Sequence, residues 1–261
     1  MQSQLSFPQI IEGVFFYSFP PPPLAKENFT QRESQAIWNH LEIAAVRSHH
    51  NPRQAFEDFL EMSVCSLSGG QMEEDYMKLV PSYSEGEKGR RAIDSFPVAF
   101  AALVEAMERT QLDILGDLFQ GGVTFGENGQ FFTPDHLCKI MAQMTMTGEE
   151  TGKRIIDPAC GSGRTLLAAG DINPNNEFYG IDVDLRCARM TAINLALRNL
   201  YGWVVWGNAL SSEEWLYYRT GFNLRGGVIE KIEPARVPET VKTIVEEQVA
   251  TNKASKQLSL F

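Results

Sequence analysis

The chain has 261 residues, enough for one α/β unit plus a helical extension, each with its own core. Its 33 acidic and 23 basic residues give a net charge of -10, which argues against strong autonomous DNA binding and fits an ordinary acidic soluble protein better than a DNA mimic. Cys65, Cys138, Cys160 and Cys187 have no paired spacing, the four histidines add no metal-ligand pattern, and no signal peptide or ~20-residue apolar run is found, so the expectation is a cytoplasmic protein with free thiols, no metal and no membrane span.

Residues 1–29 are aromatic and proline-rich and read as an N-terminal arm, ending in a polyproline stretch at Pro20–Pro23. Thr30 stands three residues before Glu33, a capping-box spacing that predicts a helix through Trp38 and Leu41. Asn51-Pro52 predicts a second helix, with Asn as cap and Pro in the first turn. Further helical stretches are read at 72–80, 96–109 and 112–119, with 82–89 a loop, so 30–120 is expected to be a helical domain. His136 and Cys138, two apart on a helix, diverge and cannot share a metal. From about 150 strands alternate with helices: strands at 154–158, 177–182, 203–206 and 227–232, helices at 163–169, 185–200 and 239–254. Asn173-Pro174 reads as a turn, and Arg186, Arg189 and Arg198 share one helix as either a basic patch or a solvated face.

Four short motifs follow in order. Gly129–Pro134 is GQFFTP, in which Thr133 is expected to cap a helix begun by Pro134 and Phe131 and Phe132 either to wall a pocket or to join the core. Asp157–Gly163 is DPACGSG, a strand end opening into a glycine turn. There Gly161 and Gly163 let main chain approach a ligand, and the next helix offers its positive end to a carboxylate. Gly180–Asp184 is GIDVD, whose Asp182 ends the second strand where a carboxylate accepts ribose hydroxyls; Asp184 is the second choice. Gly207-Asn208 ends the third strand, with the Asn208 amide oxygen placed to accept from an adenine amino group, or else to form a turn.

In this order the motifs resemble the cofactor half of the N-6 adenine DNA methylases, in the branch of the type I restriction–modification modification subunits. The resemblance covers roughly 129–210, and Asp113–Gln120 (DILGDLFQ) extends it loosely upstream. It implies a partial class I methyltransferase (Rossmann-like) α/β sheet over 121–254 and S-adenosyl-L-methionine as cofactor. It also implies Thr133, Pro134, Asp157, Pro158, Ala159, Gly161, Gly163, Asp182 and Asn208 as its contacts. The methionine part is then held by the glycine turn, with Asp157 near its amino group, and closed over by GQFFTP.

The family also grips a flipped adenine with an Asn/Asp-Pro-Pro-aromatic tetrad one strand later, and this sequence contains none after Asn208. Glu233-Pro234 after the fourth predicted strand is the surrogate considered, with Glu233 as acceptor for the adenine amine. That strand is expected to form an exposed edge unless the arm, a helix or another subunit covers it.

Residues 255–261 form a tail ending Gln257-Leu258-Ser259-Leu260-Phe261. QLSLF resembles the peptide that docks on bacterial sliding clamps, with Gln257 as hydrogen-bonding head and Leu258, Leu260 and Phe261 as apolar anchors. Two readings stand open. One is a methylase-derived binding protein, weak or inactive alone and recruited to the clamp. The other is an active adenine-specific methyltransferase of a restriction–modification, phage or mobile-element system, completed by an atypical site, a homo-oligomer, or a methylase or specificity subunit.

Overall fold

The computed structural model describes residues 29–124, 132–211 and 213–247. Most of the arm, Gly129–Phe131 and the QLSLF tail therefore lie outside the described residues.

The first helix, α1 (Arg32–Ser48), does not carry the predicted capping box: its N-cap is Gln31, without a side-chain cap. Asp117 supplies the cap from a distant part of the chain. Its carboxylate accepts from the Thr30 amide at 2.9 Å, the Gln31 amide at 3.0 Å and the Ser34 hydroxyl at 2.6 Å. Glu33 instead pairs with Arg109 at 2.6 Å. The reason is geometric: a carboxylate buried beside a helix start satisfies several orphan donors at once. By contrast α2 (Pro52–Leu67) starts as predicted, with Asn51 Oδ1 accepting from the Gln54 amide at 2.8 Å.

After α3 (Glu73–Leu79), a 3-10 turn at Val80–Tyr83 buries Tyr83, whose hydroxyl donates to Asp58 at 2.5 Å. The predicted loop at 82–89 therefore starts inside an ordered turn. Next come α4 (Ser95–Thr110), α5 (Ile114–Leu118), a π-helical turn at Phe119–Thr124 and α6 (Asp135–Thr145).

The sheet has five strands: β1 (Arg154–Asp157), β2 (Glu177–Asp182), β3 (Gly202–Asn208), β4 (Glu213–Asn223) and β5 (Gly226–Ile232). Helices α7 (Arg164–Ile172) and α8 (Leu185–Leu197) link the first three, which run parallel. The β1-α7-β2-α8-β3 run is the Rossmann-like half expected from the alternation. The β3–β4 and β4–β5 pairs are antiparallel. β4 was not foreseen, although its run WLYYRTGF is rich in aromatic residues and buries Leu216, Tyr217, Tyr218 and Thr220. A turn at Asn223–Gly226 closes the hairpin, with the Arg225 amide donating to Asn223 Oδ1 at 2.7 Å.

One face of the sheet shares a continuous core with the helices. Phe178, Val204, Tyr218 and Ile229 join α8 residues and Ile37, Leu41, Phe56, Leu103 and Leu118 in a single buried cluster. The other face carries Tyr179, Ile181, Trp203, Val205 and Tyr217, covered by Val241, Ile244 and Val245 of the helical residues 239–247. Asn173 forms the predicted turn, donating to the Gly148 and Glu150 carbonyls and accepting from the Asn175 amide.

Strand order is β1-β2-β3-β4-β5, so β1 and β5 are the two edges among the described residues. Beside β1, α6 packs on α7 through Cys138, Ala142 and Ala168 and leaves Leu137, Ile140, Met141 and Met144 exposed, Met144 by 81%. Those four lie at i, i+3, i+4 and i+7, one apolar stripe.

The basic residues of α8 are neither a patch nor a solvated face. Arg186 pairs with Asp184 at 2.6 Å and Glu57 at 3.2 Å, Arg189 with Glu61 at 3.0 Å, and Arg198 with Asp171. Each guanidinium, including that of Arg198 at the C-cap, is engaged by an acid, so these three do not form a bare cationic patch for a phosphate backbone.

Candidate functional site

The glycine turn is built by β1 and α7. Gly161 (φ +56°) and Gly163 (φ +84°) sit in the left-handed region, which glycine enters without a steric penalty. A Cβ on Gly161 would stand 2.8 Å from the Phe132 ring, and one on Gly163 would stand 2.9 Å from Thr191 Cγ2. Gly163 is the N-cap of α7 and no side chain caps that helix, so its positive end is open to an anion.

Asp182 closes over the turn from the end of β2. Its two oxygens accept from the Gly161 and Asp184 amides, each at 2.9 Å. Burial pushes its carboxyl up to about 6, against the pull of those two amides, while Asp184 and Asp157 raise it further. A desolvated carboxylate with lone pairs to spare is a strong acceptor for hydroxyl groups. Asp157 is held by the Ala159 amide at 3.0 Å and the Thr165 hydroxyl. Cys160, inside the turn, is fully buried and its thiol is pushed well up by that burial and by Asp182, so it is a neutral packing group.

The Thr133-Pro134 segment departs from expectation. Thr133 does not cap a helix begun by Pro134; α6 starts at Asp135, with Pro134 at the N-cap and no side-chain cap. Phe132 lies on Gly161, stacked 5.6 Å from Phe119, and packs against the core beside the turn. Arg164, which sequence reasoning passed over, stands beneath this segment. Its Nη1 donates to the Thr133 carbonyl at 3.1 Å, and its Nε lies 3.1 Å from Asp113 and 3.2 Å from Asp135.

Asn208 ends β3, two residues past Trp206, which pairs in register with Asp182. Its Oδ1 accepts from the Leu210 amide at 2.9 Å and the Ser211 amide at 3.4 Å. The turn-forming alternative thus claims the oxygen, and only the Asn208 amide nitrogen is left to face an adenine. Beyond Asp182, Val183 is 61% exposed, and its carbonyl accepts from Trp206 Nε1 at 3.1 Å. Trp215 packs edge-on to Trp206 at 5.2 Å between ring centroids. This apolar shelf was missed because Trp215 lies on the unforeseen β4.

The structure does not bring Glu233-Pro234 to this site. Glu233 follows β5, exposed, and Pro234 opens a 3-10 turn. Ile232 pairs with Tyr217, which pairs with Val205, which pairs with Ile181. Three strand spacings, roughly 14 Å, therefore separate the end of β5 from the end of β2, with β1 one strand further still. Glu233 is too far from the glycine turn to hold the amine of a base presented there, and the surrogate reading is withdrawn.

A cavity of about 440 Å³ lies between α6, β1 and α7 and reaches Asp157, Pro158 and Thr165. Another of about 590 Å³, beside Tyr201 and Arg219, touches none of these motifs. Among the described residues no group of His, Cys, Asp or Glu is arranged to hold a metal, and no helix is long and apolar enough to cross a membrane.

The uncapped helix end, the partly buried acceptor Asp182 and the apolar shelf fit three parts of one ligand: a carboxylate, a ribose and a purine. That is the donor and acceptor set S-adenosylmethionine requires, so the residues present fit the cofactor that the motif order implies.

Residues 113–222 match the family model described as N-6 DNA Methylase. The Type II methyltransferase M.XamI of Xanthomonas campestris pv. amaranthicola is 27% identical over 113 residues, covering 38% of this chain and 21% of that protein. The Type II restriction enzyme and methyltransferase RM.BcgI of Heyndrickxia coagulans is 29% identical over 38% of this chain and 19% of its own length. The Type I restriction enzyme MpnII methylase subunit of Mycoplasma pneumoniae is 23% identical over 43% of this chain and 23% of its own. The match thus spans about a fifth of these relatives' length. Among solved structures, a putative class I S-adenosylmethionine-dependent methyltransferase from Listeria monocytogenes gives a TM-score of 0.37 at 18% identity, over 65% of this chain and 51% of that one.

Proposed function

Starting from a chain that belongs, through residues 113–222, to the N-6 DNA methylase family, we propose that it is the cofactor-holding part of an adenine-specific DNA methylation system, weak or inactive by itself. S-adenosyl-L-methionine is its cofactor and supplies an electrophilic methyl group when bound. In this reading Asp182 accepts the ribose hydroxyls and the open end of α7 receives the carboxylate. Val183, Trp206 and Trp215 shelve the purine, and Phe132 with Pro134 closes the pocket.

The observation that carries the proposal is Asp182 seated between the Gly161 and Asp184 amides beside an uncapped helix. What the described residues do not bring to that place is a pair of acceptors for an adenine amine, and transition-state contacts of that kind set the rate. On the β1 side, a strand edge among the described residues and the apolar α6 stripe adjoin the turn. A completing polypeptide, either a second copy or a methylase or specificity subunit, would stand there. Ion-paired arginines on α8 and a charge of -10 favour DNA reached through a partner over DNA gripped directly. The tail Gln257–Phe261, outside the described residues, is proposed on its sequence as a sliding-clamp peptide that raises local concentration near DNA.

The test is transfer of labelled methyl groups to duplex DNA, with the chain alone, with a clamp, and with candidate partner subunits. Little or no transfer by the chain alone, rising with a partner, is the expected result. Fast turnover by the lone chain would favour the second reading, a complete methyltransferase with an atypical base-gripping site.

A further inference from the structure

We infer that Arg164 is a positioning residue that makes this site selective for a ligand carrying a carboxylate beyond its ribose; the inference rests on the cofactor reading above. Arg164 is the first residue of α7, and its side chain is only 11% exposed. It reaches two separate stretches: Asp113 at the entry to α5, and the Thr133 carbonyl together with Asp135 at the start of α6. Its guanidinium also lies 5.9 Å from the centroid of the Phe132 ring. Among the described residues, these hydrogen bonds and ion pairs are what tie the Phe132–Asp135 stretch to α5 and α7.

Two consequences follow from the chemistry of the side chain. The planar guanidinium has fixed donor directions, so it sets the Thr133 carbonyl, and with it the Phe132 ring, in one place over the glycine turn. It is also a cation set between two carboxylates, those of Asp113 and Asp135. An anionic group arriving at the open end of α7 meets a neighbourhood that Arg164 partly neutralises. With the guanidinium gone, that group would face two uncompensated acids. The ribose site is separate, because Asp182 is held by main-chain amides and not by Arg164.

The structure therefore assigns the two ends of the ligand to different residues, and paired ligands can separate them. Binding of S-adenosylhomocysteine, which has the carboxylate, and of adenosine, which lacks it, is measured by calorimetry on the full chain and on Arg164→Gln and Arg164→Lys. The expected result is at least a tenfold loss of S-adenosylhomocysteine affinity in Arg164→Gln, with adenosine changed by less than about twofold. Arg164→Lys, which keeps the charge but not the fork, should fall between. If Arg164→Gln does not fold, Arg164→Lys carries the same comparison, the loss being confined to S-adenosylhomocysteine. Equal losses for both ligands, or no loss for either, would overturn the assignment and leave Arg164 a purely structural residue. Failure of the unaltered chain to bind either ligand would overturn the cofactor reading, and the assignment with it.

Discussion

Asp113 and Ser162 stand forty-nine residues apart in the chain and share a hydrogen bond inside the core. The same carboxylate accepts from the Gly116 amide at 2.9 Å and Asn194 Nδ2 at 2.8 Å, and pairs with Arg164 at 3.1 Å. One buried acid thus fastens α5, the glycine turn, α7 and α8 together, and the shape of the turn depends on a residue well before it.

Asp113→Ala should be among the most damaging single changes outside the motifs. It leaves Arg164, Ser162, Asn194 and the Gly116 amide without their common acceptor, and breaking a buried pair from one side costs about 3–5 kcal/mol. Urea denaturation of the full chain checks this; a loss under about 1 kcal/mol would show that water replaces the carboxylate.

Gly161→Ala should weaken cofactor binding and lower stability by about 1–2 kcal/mol, the cost of placing a side chain in the left-handed region. The new methyl would also meet the Phe132 ring at 2.8 Å and push the Thr133-Pro134 stretch outward. Thermal melts with and without S-adenosylhomocysteine separate the two effects, since binding adds a concentration-dependent rise in Tm that the variant should lack.

Binding of adenosine should weaken as pH falls through about 6, where Asp182 takes up its proton and becomes a poorer acceptor. The sign for stability is the opposite. The folded pKa lies above the unfolded value of about 3.9, so the folded state holds more protons between roughly 4 and 6. Stability of the free protein therefore falls as pH rises across that window, by up to about 3 kcal/mol. Calorimetric titrations from pH 5 to 8 should show the affinity change in the unaltered chain and a flat profile in Asp182→Asn.

The tail should bind a bacterial sliding clamp with micromolar affinity, on the order of -8 kcal/mol, as suits a short peptide that loses freedom on docking. Truncation after Lys256, or alanine at Leu260 and Phe261, should abolish this and leave S-adenosylhomocysteine binding unchanged. Surface plasmon resonance on immobilised clamp decides it; equal binding by the truncated chain would remove QLSLF from the account.

The sequence by itself determined what local spacing controls. A strand ending in Asp, a glycine turn and a helix must bring main chain together at that turn without side chains in the way, and an acid at the end of the next strand must lie beside it. The gathering of Asp157, Gly161, Gly163 and Asp182 at one turn was legible for that reason, as was the Asn51 cap. Tertiary structure alone decided the contacts between distant segments. Asp117 caps α1 in place of Thr30, and Arg164 with Asp113 holds the Thr133-Pro134 stretch. The α8 arginines are consumed in ion pairs, and β4 inserts between β3 and β5, which carries Glu233 away from the site. A polar side chain in sequence advertises its chemistry but not its partner. Which buried donor meets which acceptor is settled only when packing brings the two segments together and leaves neither any water to bond instead.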